Sequence, residues 1–242
     1  MRFRLALLFV FSFPVIATAS EYVLPIAGSV NNFRTDVRIF NPTAADSHLT
    51  LTFLPAGNQN NGSAFASSVH VTVPANQNVS YNDAISALFG ASGIGAVYVG
   101  SDTVLLITTR IYAQTASGTL GQGYRALFTG NIFSSGVLLQ LRADGAFRTN
   151  IGAMNPENTV VHVTWKLYDK NNAEVSEATT TVQPYAVIPP TSIASLFSVG
   201  NADLSDAYVT FTSDEPLAVY ASVIDNATTD PTFFSAMSPS GF

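Results

Sequence analysis

The chain has 242 residues, 47% of them apolar and 11% charged, with 10 basic against 16 acidic side chains and no cysteine. That length can bury ordinary hydrophobic cores without staples, and the missing cysteines exclude disulfides, cysteine-based zinc sites and thiol catalysis. A net charge of −6 argues against nucleic acid, whose binding needs a basic face that displaces counterions.

The chain begins Met1-Arg2-Phe3-Arg4, runs apolar from Leu5 to Ile16, and reaches Ala17-Thr18-Ala19. A basic start, a short apolar stretch and small residues at the cleavage positions read as a secretory signal peptide over residues 1–19. The stretch falls short of the about 20 residues that span a bilayer and contains Pro14. Cleavage takes Arg2 and Arg4 away and leaves 8 basic against 16 acidic residues, a net charge of −8. An electrostatic anchor on anionic lipid is thereby disfavoured. The expectation is a secreted, periplasmic or cell-surface protein with no transmembrane span after cleavage.

Beyond residue 19 the chain repeats itself. Phe33-Arg34-Thr35-Asp36 returns as Phe147-Arg148-Thr149-Asn150, Asn41-Pro42 as Asn155-Pro156, His48 as His162 and Thr50 as Thr164. These are seven identities in the 25 positions 33–57 against 147–171, without a gap. An internal repeat of this kind sets the architecture before any single residue is read. Apolar residues alternate at period two, as in Leu49, Leu51 and Phe53, and again in Val163, Trp165 and Leu167 at the same offset. Period two marks strands with one buried face. Turn signals such as Pro74-Ala75-Asn76, the Asn- and Gly-rich 58–63 and Ala143-Asp144-Gly145 separate them. Two segments, 80–89 and 191–197, both end in Leu-Phe and read as one or two helical turns started by Asn82 or Thr191. The Gly-rich 117–123 reads as a turned connector.

The fold class expected is all-β, with two tandem antiparallel β-sandwich domains of immunoglobulin-like form, each with one short helical segment. The domains cover residues 20–130 and 131–242. The Arg-Thr-Asp/Asn start, the Asn-Pro corner, the Leu-Phe plug and the closing Asp225-Asn226-x-Thr228-x-Asp230-Pro231 resemble tandem immunoglobulin/fibronectin-like modules of exported bacterial proteins. That resemblance implies a fold and no established activity.

Candidate sites follow from residue chemistry. Arg34 and Arg148 share a strand face with Asp36 and Asn150; they suit either a clamp on a carboxylate or sulfate ligand or a cross-strand ion pair, and their repetition, with that of Asn41, Pro42, Asn155 and Pro156, favours a structural role. His48 and His70 read as cross-strand neighbours, a weak metal pair at most, and exposed strand histidines fit better. Asp225, Asn226 and Asp230 offer oxygens for a calcium ion, as do Asn201, Asp203 and Asp206, while Asx turns explain both runs equally well. Tyr81, Tyr98, Tyr112, Tyr185, Tyr208 and Tyr220 would stack sugars if several were coplanar and exposed. No HExxH, Gly-x-Ser-x-Gly or other catalytic signature is present.

The sequence therefore points to a non-catalytic binding or structural module at or outside the cell envelope, with a protein or glycan partner and no cofactor. A carbohydrate-binding module, aided by calcium, is the alternative. A periplasmic chaperone-like protein follows, and a hydrolase comes last.

Overall fold

The computed structural model describes residues 20–57, 64, 66–200 and 204–238. The signal peptide expected over 1–19, the turn at 58–63 and positions 201–203 of the second oxygen run lie outside the described residues. No described helix is long and apolar enough to cross a membrane.

The first half builds two sheets. β1 (Ser20–Ser29), β3 (Ser47–Pro55), β4 (Ser67–Val73), β6 (Gly93–Ser101) and β9 (Leu127–Phe128) form one, in the order β4-β3-β6-β1-β9. The other is formed by β2 (Phe33–Phe40), β5 (Asn78–Tyr81), β7 (Leu106–Thr115) and β8 (Gly118–Arg125), in the order β5-β2-β7-β8. Between them lies a core that includes Leu24, Val37, Ile39, Leu51, Phe53 and Val99. The alternation read from sequence is the cause: inward positions of β3 are buried while His48, Thr50 and Thr52 face outward. Each fully buried aliphatic or Phe side chain contributes about 1.5–3 kcal/mol.

The second half repeats the path with β10 (Phe133–Ala143), β11 (Phe147–Met154), β12 (Val161–Tyr168), β13 (Glu174–Val182), β14 (Val187–Ser192), β15 (Leu204–Asp225) and β16 (Pro231–Ser235). These make one seven-stranded sheet. The 22-residue β15 pairs with β10 and β12 along its first part and with β11 and β16 along its second. The sheet folds around one core, where Trp165 and Phe211 from one wing meet Ile151 and Val219 from the other. Short helices α1 (Ala84–Phe89) and α2 (Ile193–Phe197) follow β5 and β14. Ser192, not Thr191, caps α2 by accepting a hydrogen bond from the Ser195 N–H, and Asp83 precedes α1 without a side-chain cap.

Buried polar groups hold both copies in the same way. Thr35 Oγ1 accepts from the Gly28 N–H and donates to the Gly28 carbonyl, and Thr149 does the same to Arg142. The Asn41 amide donates to the carbonyls of Ala45 and Val73, and its Oδ1 accepts from the Thr43 N–H. Asn155 repeats this with Thr159, Gln183 and Glu157. Pro42 and Pro156 follow these asparagines at the same corners, where a missing N–H costs nothing because the chain has left the ladder.

The expectation of two tandem immunoglobulin-like sandwiches is corrected by this arrangement. The chain forms one all-β, sandwich-like unit of three sheets, for two physical reasons. β15 runs unbroken from one wing of its sheet to the other, and the halves share buried surface. Tyr220 of β15 sits within the first half's core, stacked 5.5 Å from Phe233, which in turn stacks 4.5 Å from Tyr124 of β8. A further apolar cluster joins Val23, Leu54 and Ala96 to Met154, Val187 and Ala218. The Gly-rich connector is also corrected, since Gly118–Arg125 is a strand paired with β7. A Cβ at Gly121 would lie 2.5 Å from the Ile111 carbonyl oxygen, so glycine there permits the close pairing.

Candidate functional site

The outer face of the first sheet carries Val23 of β1, Thr52 and Leu54 of β3, and Ala96 and Tyr98 of β6. Their registers place them side by side, with Val23 and Thr52 both opposite Tyr98. The apolar members are covered by the second half. At the rim of that contact a groove of about 260 Å³ remains, lined by Thr52, Leu54, Ala66, Ser68, Tyr98 and Tyr185. Both tyrosines are half-buried. Thr52 and Ser68 share a hydroxyl–hydroxyl hydrogen bond of 2.8 Å on its wall.

Tyr185 arrives there in a costly conformation. The Ala186 N–H donates to the Gln183 carbonyl, closing a turn whose third residue, Tyr185, has φ 53°. Left-handed backbone is ordinary for Gly or Asn in that position and an outlier for a bulky side chain. In the first half the corresponding turn, closed by the Gln77 N–H on the Pro74 carbonyl, puts Asn76 there with φ 55°. Strain of this kind amounts to about 1–3 kcal/mol and gathers at working sites.

Two carboxylates join the tyrosines. Burial first, then a hydrogen bond to Glu21, then the negative charges of Glu21 and Glu157 push the Tyr98 phenol well above its ordinary range. It is therefore a protonated donor at any physiological pH. The Tyr185 N–H donates to the Glu157 carbonyl, which ties the second carboxylate to the same corner. The groove thus offers two aromatic rings and hydroxyl groups in its lining, with the exposed Glu21 and Glu157 outside the lining but near enough to act on Tyr98.

Of the tyrosines singled out from sequence, Tyr98 and Tyr185 are the two brought together here. Tyr220 is 0% exposed, Tyr81 packs against the first core, Tyr112 bonds Asp36, and Tyr208 stacks on Tyr168 at 4.8 Å. Glu21, Glu157, Thr52 and Ser68 were not among the sequence candidates. The replacement of an Asn-type turn residue by Pro184-Tyr185 was the available signal.

The other candidates fall elsewhere. Arg34 pairs with Asp83 at 3.1 Å and donates to the carbonyls of Asn31 and Phe33. Arg148 donates to Asn226 Oδ1 at 2.9 Å. His70 lies opposite Thr50, not His48, and bonds its hydroxyl. His48 and His162 instead meet Asp102 and Asp214, at 3.3 and 2.9 Å. Each aspartate also accepts the histidine's own backbone N–H. Asp225 Oδ1 accepts from the N–H groups of Ala227 and Thr228, which hold its carboxyl below the usual range. The Asp225 N–H donates to the Asp230 carbonyl. Among the described residues no three or more His, Cys, Asp or Glu side chains gather as a metal site.

The sequence matches no protein-family profile and no curated protein. Among solved structures, the chain resembles Thermotoga maritima 1070 at 11% identity and a TM-score of 0.37, over 44% of this chain and 95% of that one. It also resembles a calcium binding mutant of Bacteroides uniformis beta-glucuronidase 2, at 9% identity and a TM-score of 0.20, over 90% of this chain and 26% of that one. Parabacteroides merdae beta-glucuronidase matches at 11% identity and a TM-score of 0.19, over 89% of this chain and 27% of that one. The chain spans about a quarter of the length of these glucuronidases. The expectation of a non-catalytic chain rested only on missing motifs and is withdrawn. At such low TM-scores the likeness transfers no reaction to this chain.

Proposed function

We propose that the chain binds carbohydrate at the cell envelope through the groove between Tyr98 and Tyr185. One observation carries the reading: a tyrosine held at φ 53° where the first half has Asn76, facing a second tyrosine across a groove edged by hydroxyls and carboxylates. Aromatic rings give a sugar's C–H face an apolar platform with a polar tip, and carboxylates and hydroxyls match its hydroxyl groups. A small number of placed polar groups on apolar walls is the usual make-up of a small-molecule site. Calcium stays within this proposal only as a structural ion at Asp225, Asn226 and Asp230, which lie at the opposite end of β11 from the groove.

The test is a glycan array, with and without millimolar calcium, followed by calorimetry on hits. Tyr98→Ala is expected to weaken binding about tenfold or more. Tyr185→Asn is expected to weaken it similarly while leaving thermal stability equal or higher, because Asn tolerates the turn. A Tyr185→Asn protein that loses stability and keeps its glycan would reduce Tyr185 to packing and end the proposal. Reducing-end release during the assay would extend the reading to hydrolysis, with Glu21 and Glu157 as the carboxylates at hand.

A further inference from the structure

We infer that a separate cleft, sharing no lining residue with the tyrosine groove, binds a long-chain carboxylate: one acyl chain in the apolar body and its carboxylate on Arg148. The cleft holds about 400 Å³ between the halves, within the roughly 300–1,000 Å³ of small-molecule sites. Its walls are mainly apolar, including Ile26, Ile111, Leu120, Pro189 and Ile224, with Asn150 and Thr229 as polar members. Phe33 and Ile94, also on the wall, remain 41% and 36% exposed, apolar surface left to water at the opening. Deeper in the lining, Ser222 donates to Gln122 Oε1 at 2.9 Å, a buried pair satisfied within itself.

Charge selects the occupant. Arg148 is the one charged residue in the lining among the described residues. The repeat supplies the contrast. Arg34, its counterpart, is neutralised by Asp83 at 3.1 Å. Arg148 has the neutral Asn226 Oδ1 as its hydrogen-bond partner, and among the described residues no carboxylate stands within ion-pair distance of it. Asp225 is paired with Phe147 on the adjacent strand, while Arg148 is paired with Ile224; alternation puts the Asp225 side chain on the other face of the sheet from Arg148, and its Oδ1 accepts from backbone N–H groups. A guanidinium carries five donors in a planar fork that fits a carboxylate. A ligand with polar groups along its length would lose their hydration against the apolar walls, so sugars and peptides fit poorly. An apolar shaft with a single anionic end meets both features.

The experiment is calorimetric titration of the mature chain with dodecanoate below its micelle concentration, with dodecanol as the uncharged probe. Saturable binding of dodecanoate is expected, with a rise in melting temperature. Arg148→Gln is expected to weaken dodecanoate by about tenfold or more and to leave dodecanol unchanged. Arg34→Gln is expected to bind dodecanoate like the parent protein. Leu120→Asp, at a half-exposed wall position, is expected to abolish both ligands while the protein stays folded by circular dichroism. Absence of saturable binding, or an Arg148→Gln protein that binds dodecanoate as tightly as the parent, would overturn the inference. So would a concentration-dependent dimer that buries the cleft and excludes dodecanoate.

Discussion

In the first half the chain leaves its ladder after Ser101 and re-enters a different sheet at Leu106, so β6 and β7 are separate strands. In the second half the corresponding stretch, with Ser213-Asp214 where the first half has Ser101-Asp102, stays within β15. The reason lies in the partner strand. β10 begins at Phe133, which pairs with Leu217 just past the corner, and the register shifts between Phe133 and Ser135 to absorb the bend. In the first half β1 pairs Ser20 opposite Ser101, and the chain then crosses to the other sheet. The same internal pins therefore sit within two different sheet arrangements. Shared residues keep the corners, and unshared ones decide how the sheets join.

The largest expected effect comes from cutting the joint between the halves. Tyr220→Ala removes a fully buried ring and should cost about 3–5 kcal/mol in urea unfolding followed by tryptophan fluorescence and circular dichroism. Because Trp165 sits in the second half, one coincident transition for both probes would show that the halves unfold together. Two separated transitions would mean that the shared ring stack does not couple them.

A smaller effect should sharpen the equivalence of the pins. Asn41→Ala and Asn155→Ala each leave buried carbonyl and N–H groups unpaired, at about 1–3 kcal/mol per group left unsatisfied. The two losses should be equal within error by denaturant midpoint. A marked inequality would show that one corner has taken up a load the other lacks.

The smallest effect is electrostatic. The His162 side chain and then its backbone N–H hold the Asp214 carboxyl below its ordinary range. At Asp102 partial burial works upward, and the hydrogen bonds from the His48 backbone and Ser47 outweigh it. A lowered folded pKa stabilises above the unfolded value of about 3.9, and that stabilisation is lost as pH falls through the folded value. Melting temperature should thus fall on acidification below about pH 4, less so in Asp102→Asn or Asp214→Asn. An unchanged acid limb in both variants would leave these contacts without thermodynamic weight.

Much of this fold was legible because the period-two pattern and the repeat both concern side chains that point inward. Leu49, Leu51 and Phe53 are buried as their alternation requires, and so are Val163, Trp165 and Leu167. The joining of the halves was not legible, because it depends on residues whose local pattern looks ordinary. Val23, Leu54 and Ala96 sit on an outward face of a sheet and become buried only through the second half. Phe233 belongs to a five-residue strand whose neighbours are half-exposed, and nothing local announces that it bridges two tyrosines. The groove was half legible: Tyr98 and Tyr185 stood among six candidate rings, and only the turn geometry around Tyr185 separates them from Tyr208 or Tyr112. The His–Asp contacts were present as two unrelated repeats, which the registers of β3 and β12 bring together.

The cover over Val23, Leu54 and Ala96 has a consequence for synthesis. A ribosome delivers that face long before the residues that shield it, so the nascent amino-terminal portion must travel with a bare greasy surface. Truncation near residue 130 should yield a sticky, self-associating fragment, and export machinery that keeps the emerging chain extended would spare it that fate.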